Sequence, residues 1–155
     1  MFYYFTCCRK SEKDLLKQVI DPEKMPNFSF IGQNFIGIPA NVYDGDTLSI
    51  LFVYNGIPVK YRCRANGYDS PEMKPLLSNP NRIKEKELAN SAKKRFIELL
   101  TKQPDKNIFI KCHEFDKYGR LLVDIWNGVD TESINTMMIN EGYGKPYQGG
   151  TKEKW

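Results

Sequence analysis

Asp44-Gly45-Asp46-Thr47 and Asp69-Ser70-Pro71-Glu72 concentrate carboxylates in two short segments, and Arg64 lies five residues before Asp69. A third segment, Asp116-Lys117-Tyr118-Gly119-Arg120, adds an arginine from a turn-like link. Such a set suits work on a phosphodiester, which needs an activated water, a cation over the phosphoryl oxygens, and donors that strengthen as charge builds in the transition state. Asp46 and Asp69 are hard oxygen ligands suited to Ca²⁺, a backbone carbonyl near Ser70 can add a third, and no His/Cys set favours zinc. Glu72, with Pro71 stiffening its link to Asp69, can reach the same place to orient or deprotonate a water. Arg64 and Arg120 can grip a phosphate bidentately and stay charged at any working pH. Each segment alone is an ordinary turn or loop; the three together are a far more specific signal.

The elements between these segments must bring them together. Residues 28–69 read as β structure, and Asn55-Gly56 between two alternating runs predicts a two-residue hairpin that sets Tyr54 opposite Ile57. Phe52 then faces Val59, Ile50 faces Tyr61, and Leu48 faces Cys63 on an apolar face, while Thr47 pairs with Arg64 on the other. Regular geometry would put Asp46 and Arg64 on opposite faces, so a bend near Gly45 is expected. Residues 81–101 read as a helix with Leu88, Ala92, Phe96 and Leu99 or Leu100 on its apolar side and Lys93-Lys94-Arg95 on its wet side. Residues 107–115 and 121–126 alternate like strands, and a short helix runs from about Ser133 to Asn140 with Gly142 at its end. The order predicts a small α+β fold built on an antiparallel barrel.

A chain of 155 residues can bury one real core but not two comfortable ones. We expect an N-terminal extension over residues 1–26, a short helix within 11–20 that Pro22 and Pro26 terminate, and one domain over 27–155. No apolar run approaches the roughly 20 residues that span a bilayer. Lys+Arg of 23 against Asp+Glu of 19 gives a net charge of +4, and acids committed to a metal would leave the rest of the surface more basic, which suits an anionic polymer. Cys63 and Cys112 stand alone inside predicted strands, as buried thiols of a reducing compartment do. Residues 1–8 are too short for a secretory segment, so an intracellular protein is expected. The Cys7-Cys8 pair, beside aromatic residues and Arg9-Lys10, either carries acyl chains that give peripheral membrane contact or belongs to a segment that packs or stays disordered. His113, the only histidine, has no obvious partner and no expected catalytic part.

Val42-Tyr-Asp-Gly-Asp-Thr47, Arg64-Ala-Asn-Gly-Tyr-Asp69-Ser-Pro-Glu72, Asp116-Lys-Tyr-Gly-Arg120 and Met138-Ile-Asn-Glu-Gly-Tyr-Gly144 resemble the staphylococcal nuclease-like, or thermonuclease, family across residues 36–150. That resemblance implies a five-stranded OB-fold-type barrel with about three packed helices. It further implies Ca²⁺ ligation by Asp46, Asp69 and the Ser70 carbonyl, Glu72 as the water-handling group, and Arg64 and Arg120 on phosphate. Ser70 stands where threonine is frequent, which a carbonyl ligand does not notice. Lys117 and Tyr118 match the family's nucleotide-facing turn, and Tyr147 is a looser substrate-binding candidate. The implied activity is calcium-dependent hydrolysis of DNA and RNA, favouring single-stranded or flexible regions and leaving 3′-phosphates, by a monomer. The competing expectation is a non-catalytic nucleic-acid or protein-binding module on the same barrel; a third is a metal-binding domain recruited to membranes through residues 1–10.

Overall fold

The computed structural model describes residues 11–18 and 21–155. The Cys7/Cys8 reading lies outside those residues. Among them, no helix is long and apolar enough to cross a membrane.

Five strands close a barrel: β1 (Asn34–Val42), β2 (Thr47–Tyr54), β3 (Ile57–Ala65), β5 (Ile108–Phe115) and β6 (Leu121–Trp126), in the spatial order β1-β2-β3-β6-β5. A two-residue strand β4 (Tyr68–Asp69) pairs with β7 (Lys145–Pro146) outside it. The hairpin register is the expected one at every pair from Tyr54↔Ile57 to Thr47↔Arg64, around a turn with Asn55 and Gly56 at φ 49° and 79°. The expectation of a purely antiparallel barrel needs correction, because β3 and β6 run parallel. Directions cannot alternate all the way round a closed ring of five, so closure forces one parallel pair. The long excursion through β4, a helix and β5 supplies the crossover that such a pair requires.

Leu48, Ile50, Phe52, Ile108, Ile110, Leu121, Val123 and Ile125 fill the barrel at 0–2% exposure. Cys63 and Cys112 are free, buried among them, and burial pushes their thiols up to about 12 and about 11. At the hairpin end Phe30 plugs the opening, with ring centroids 4.8 Å from Phe28, 5.2 Å from Tyr54, 5.8 Å from Phe35 and 5.9 Å from Phe52, all edge-on. The segment just before β1 is therefore part of the core.

Among the described residues three α-helices accompany the barrel: α1 (Glu12–Leu16), α2 (Arg82–Leu100) and α3 (Ile134–Asn140). Only α2 and α3 bury residues; Leu15 and Leu16 of α1 are largely exposed. The buried stripe of α2 is Glu85, Ala89, Ala92, Phe96, Leu99 and Leu100, which leaves Leu88 at 37% exposure instead of in the core. Spacings of four and three residues make that stripe continuous, with an acid at its head. α3 is fixed to β6 by Asn135, whose Oδ1 accepts from Ile125 N at 2.9 Å and whose Nδ2 donates to the Val123 and Asn66 carbonyls at 3.0 and 2.9 Å.

Phe30→Ala should lower stability by about 3 kcal/mol, the usual cost of emptying a fully packed phenylalanine site. Urea unfolding measures it, and a loss below about 1 kcal/mol would mean the plug is not part of the cooperative core.

Candidate active site

The far end of the barrel, away from Phe30, collects the charged residues. The chain leaves β1 and bends at residues 44–46 before β2 begins. Asp44 holds the bend, its Oδ1 accepting from Asp46 N at 3.1 Å and Thr47 N at 2.7 Å, as short acidic side chains do in turns. Gly45 is required there for space: a Cβ would stand 2.9 Å from Ser70 Cβ and 3.0 Å from Ala92 Cβ of α2. Buried Tyr68 donates its hydroxyl to the Gly45 carbonyl at 2.7 Å and fixes the bend from below.

The bend turns Asp46 back toward the last residues of β3. Arg64, 8% exposed, places Nη1 2.8 Å from Asp46 Oδ1 and Nη2 2.9 Å from Asp69 Oδ1, with a further donation to the Tyr68 carbonyl at 3.1 Å. Asp46 also accepts from the Thr47 hydroxyl at 2.7 Å and from Ser70 N at 3.1 Å. Burial pushes its carboxyl up to about 7; Arg64 opposes that shift and the neighbouring Asp44 adds to it. Asp69 is 3% exposed and lies under Arg64 and Lys152, whose Nζ is 2.8 Å from Asp69 Oδ1 and 2.7 Å from Glu72 Oε1. Burial draws the Lys152 ammonium down, but the two carboxylates outweigh it and hold the pKa above the ordinary lysine value.

Arg120 approaches from the link between β5 and β6. Asp116 builds that link by accepting from Tyr118 N at 2.8 Å, Arg120 N at 2.9 Å and Arg120 Nε at 2.6 Å. Burial raises the Asp116 carboxyl, yet the Arg120 backbone and guanidinium and the Tyr118 N–H more than reverse it, leaving it below the usual carboxylate range. Arg120 Nη1 then reaches the Thr47 hydroxyl at 3.2 Å. A continuous polar chain thus runs Arg120, Thr47, Asp46, Arg64, Asp69, Lys152, Glu72.

These groups border one cleft of about 900 Å³, lined by Asp46, Arg64, Ser70, Glu72, Arg120 and the substrate candidates Lys117, Tyr118 and Tyr147. Asp69 sits behind that wall. Tyr118 is 73% exposed, its ring 5.2 Å from Lys117 Nζ and 5.5 Å from Arg120 Cζ. The Tyr147 ring lies 6.0 Å from Arg64 Cζ, and its hydroxyl donates to the Gly150 carbonyl at 3.0 Å. All the candidate residues converge on this end of the barrel.

The staphylococcal nuclease homologue family matches residues 62–154, well over half the chain. The chain belongs to that family. Its matched segment contains every candidate except Asp46, which the barrel brings to Arg64 from outside it. No curated protein matches the sequence. Membership makes this a nuclease-family domain of the kind that binds nucleic acid, on an α+β fold with an OB-type barrel.

Several residues of the site escaped the sequence reading. Lys152 lies in the tail, where nothing in its spacing marks it. Thr47 links Arg120 to Asp46, and Glu85 accepts from Glu72 N at 3.3 Å and from Asn79 Nδ2 at 2.5 Å, pinning the loop that carries Glu72. The signal for Glu85 was present: an acid at an apolar-stripe position of α2. His113 does have a partner, Asp124 Oδ2 at 2.7 Å from Nε2, and it does not line the cleft.

Removing the Asp116 carboxylate should release the turn that presents Arg120. Because its folded pKa is lowered, the stabilisation is present above about pH 4 and is lost as pH falls through the lowered folded value. Asp116→Ala should therefore be about 1–2 kcal/mol less stable than the parent at pH 7. The two unfolding curves should converge toward pH 2, and a constant gap would refute the assignment.

Proposed function

We propose that this protein is a calcium-dependent nuclease that hydrolyses phosphodiester bonds of DNA and RNA, prefers single-stranded or flexible regions and leaves 3′-phosphate ends. The observation that carries the reading is the polar chain from Arg120 to Glu72, which sets carboxylates and guanidinium groups around one cleft. Family membership supports the hydrolase class. We also take residues 27–155 as the functional unit of an intracellular monomer and 1–26 as an extension, whose Cys7-Cys8 pair either carries acyl chains or belongs to a segment that packs or stays disordered.

The residues present fit a hard cation. Asp46, Asp69 and Glu72 offer only oxygen, and with all three ionised one guanidinium leaves two negative charges to be met. A lysine ammonium already bridges Asp69 and Glu72, so this place attracts positive charge. Among the described residues no group of three His, Cys, Asp or Glu side chains stands arranged to hold an ion; Asp46 and Asp69 are paired with Arg64, and Asp69 and Glu72 with Lys152. Asp46, Asp69 and the Ser70 carbonyl are the residues that would hold Ca²⁺. When bound, Ca²⁺ supplies Lewis-acid charge stabilisation at the phosphoryl oxygens.

The chain's own groups divide the remaining work. Arg64 uses three of its five N–H donors on Asp46, Asp69 and the Tyr68 carbonyl, which immobilises the guanidinium and leaves two donors for phosphate. Arg120, steered by Asp116 and Thr47, addresses the same phosphate from the link between β5 and β6. Glu72, on a loop pinned by Glu85, holds the attacking water and either orients it or accepts its proton. Tyr118 and Tyr147 offer rings for a base, which flexible strands can present and a closed duplex cannot.

Purified protein should cut labelled single-stranded DNA and RNA faster than duplex, only with Ca²⁺, and chelator should stop it. Glu72→Gln and Arg120→Gln should each lower turnover by about 10²–10³, the usual range for losing one transition-state contact. Salt-sensitive binding with no cleavage would instead establish the non-catalytic module.

A further inference from the structure

Lys152 reaches the site from neither strand nor helix. It follows Gly149 and Gly150, whose φ values are 96° and 92°, a region that residues with side chains rarely enter, and whose surroundings are open. The tail is tethered on both sides of that point. Tyr147 donates to the Gly150 carbonyl, while Lys145 Nζ donates to the Lys154 carbonyl at 2.5 Å and lies 4.8 Å from the Trp155 ring. Between these tethers Lys152 keeps 41% of its side chain exposed, yet its ammonium touches two carboxylates of the site.

The charges show what this contact does. With the lysine swung away, Arg64 pairs with Asp46 and Asp69 while Glu72 loses the ammonium beside it, so the three carboxylates in ionised form exceed that one guanidinium by two negative charges, the complement of a divalent ion. With the lysine seated, one of those charges is already met. Asp69 Oδ1 is then shared between Arg64 Nη2 and Lys152 Nζ at 2.9 and 2.8 Å. A divalent cation needs such oxygens facing it and repels an ammonium at the same place.

We propose that Lys152 is a tail-borne competitor for the cation site, a latch across Asp69 and Glu72 that a divalent ion must displace. The proposal rests on the calcium reading above. Its consequence is reciprocal: the seated lysine weakens divalent binding, and divalent binding frees the segment after Gly149. Apparent affinity is reduced by the fraction of molecules whose latch is open.

Calorimetric titration of the full chain with CaCl₂, without nucleic acid, tests it in the parent, Lys152→Ala, Lys152→Arg and Lys154→Ala. Lys152→Ala should bind Ca²⁺ about five- to tenfold more tightly, the scale of a latch closed about ten to one. Lys152→Arg should resemble the parent, and Lys154→Ala, which removes a tail charge not seated on the carboxylates, should change affinity by less than about twofold. Unchanged or weaker binding in Lys152→Ala overturns the latch and leaves the calcium reading intact. Equal tightening in Lys152→Ala and Lys154→Ala overturns it as well, since the effect is then bulk electrostatics. No uptake by either the parent or Lys152→Ala overturns the calcium reading and the latch with it.

Discussion

The site end of the barrel depends on one buried guanidinium. Arg64 stands one residue before the end of β3, and its three acceptors come from the bend before β2 and from β4, so a single side chain joins three segments. Taking a guanidinium out of water costs several kcal/mol unless its charge and its donors are matched. Asp46 and Asp69 provide that match, and each is as dependent on Arg64 as Arg64 is on them. The backbone reinforces the arrangement: Ala65 N donates to the Asp46 carbonyl at 2.8 Å beside the Thr47↔Arg64 pair.

Among the described residues Arg64 is the one guanidinium paired with both Asp46 and Asp69. Asp46 receives three donors and still has its carboxyl pushed up to about 7, because burial and Asp44 work against ionisation. A fold selected for stability alone would replace such a group with an apolar one. Retaining it makes sense where a further positive charge is to be received, and the seated Lys152 ammonium is a physical sign of that demand. The opposite end of the barrel shows the contrast, since Phe28, Phe30, Phe35 and Tyr54 close it with aromatic contacts.

Local rules made much of this legible. Asn55-Gly56 set a register that holds through all eight pairs of the hairpin, and the alternation carried Arg64 to the strand end beside Thr47. The need for a bend near Gly45 also followed, but its cause did not: Gly45 is there because Ser70 and Ala92 press on it, a tertiary contact with no local trace. Ring parity alone required one parallel pair in the barrel, but not that it would be β3–β6. What stayed hidden were partners distant in sequence. Lys152 meets Glu72 across eighty residues, and Tyr68 reaches Gly45 across twenty-three. His113 looked solitary because its partner, Asp124, lies on the neighbouring strand past a register shift.

The two arginines sit in different mechanical situations, and that difference bears on how they work. Arg64 is locked by buried ion pairs, so its geometry is set before any ligand arrives, and substituting it strikes the barrel end as hard as it strikes chemistry. Arg120 is more exposed and is held by the Asp116 turn and one hydroxyl, so it can adjust as charge moves on a bound phosphate. Preorganised donors stabilise a transition state most when they need no rearrangement, which favours Arg64 as the fixed electrostatic element. Thr47 is the one contact common to both sides: its hydroxyl donates to Asp46 and accepts from Arg120. Any displacement of Arg120 is therefore felt at Asp46 through a single hydrogen-bonded oxygen, and the rigid and adjustable halves of the site are coupled there.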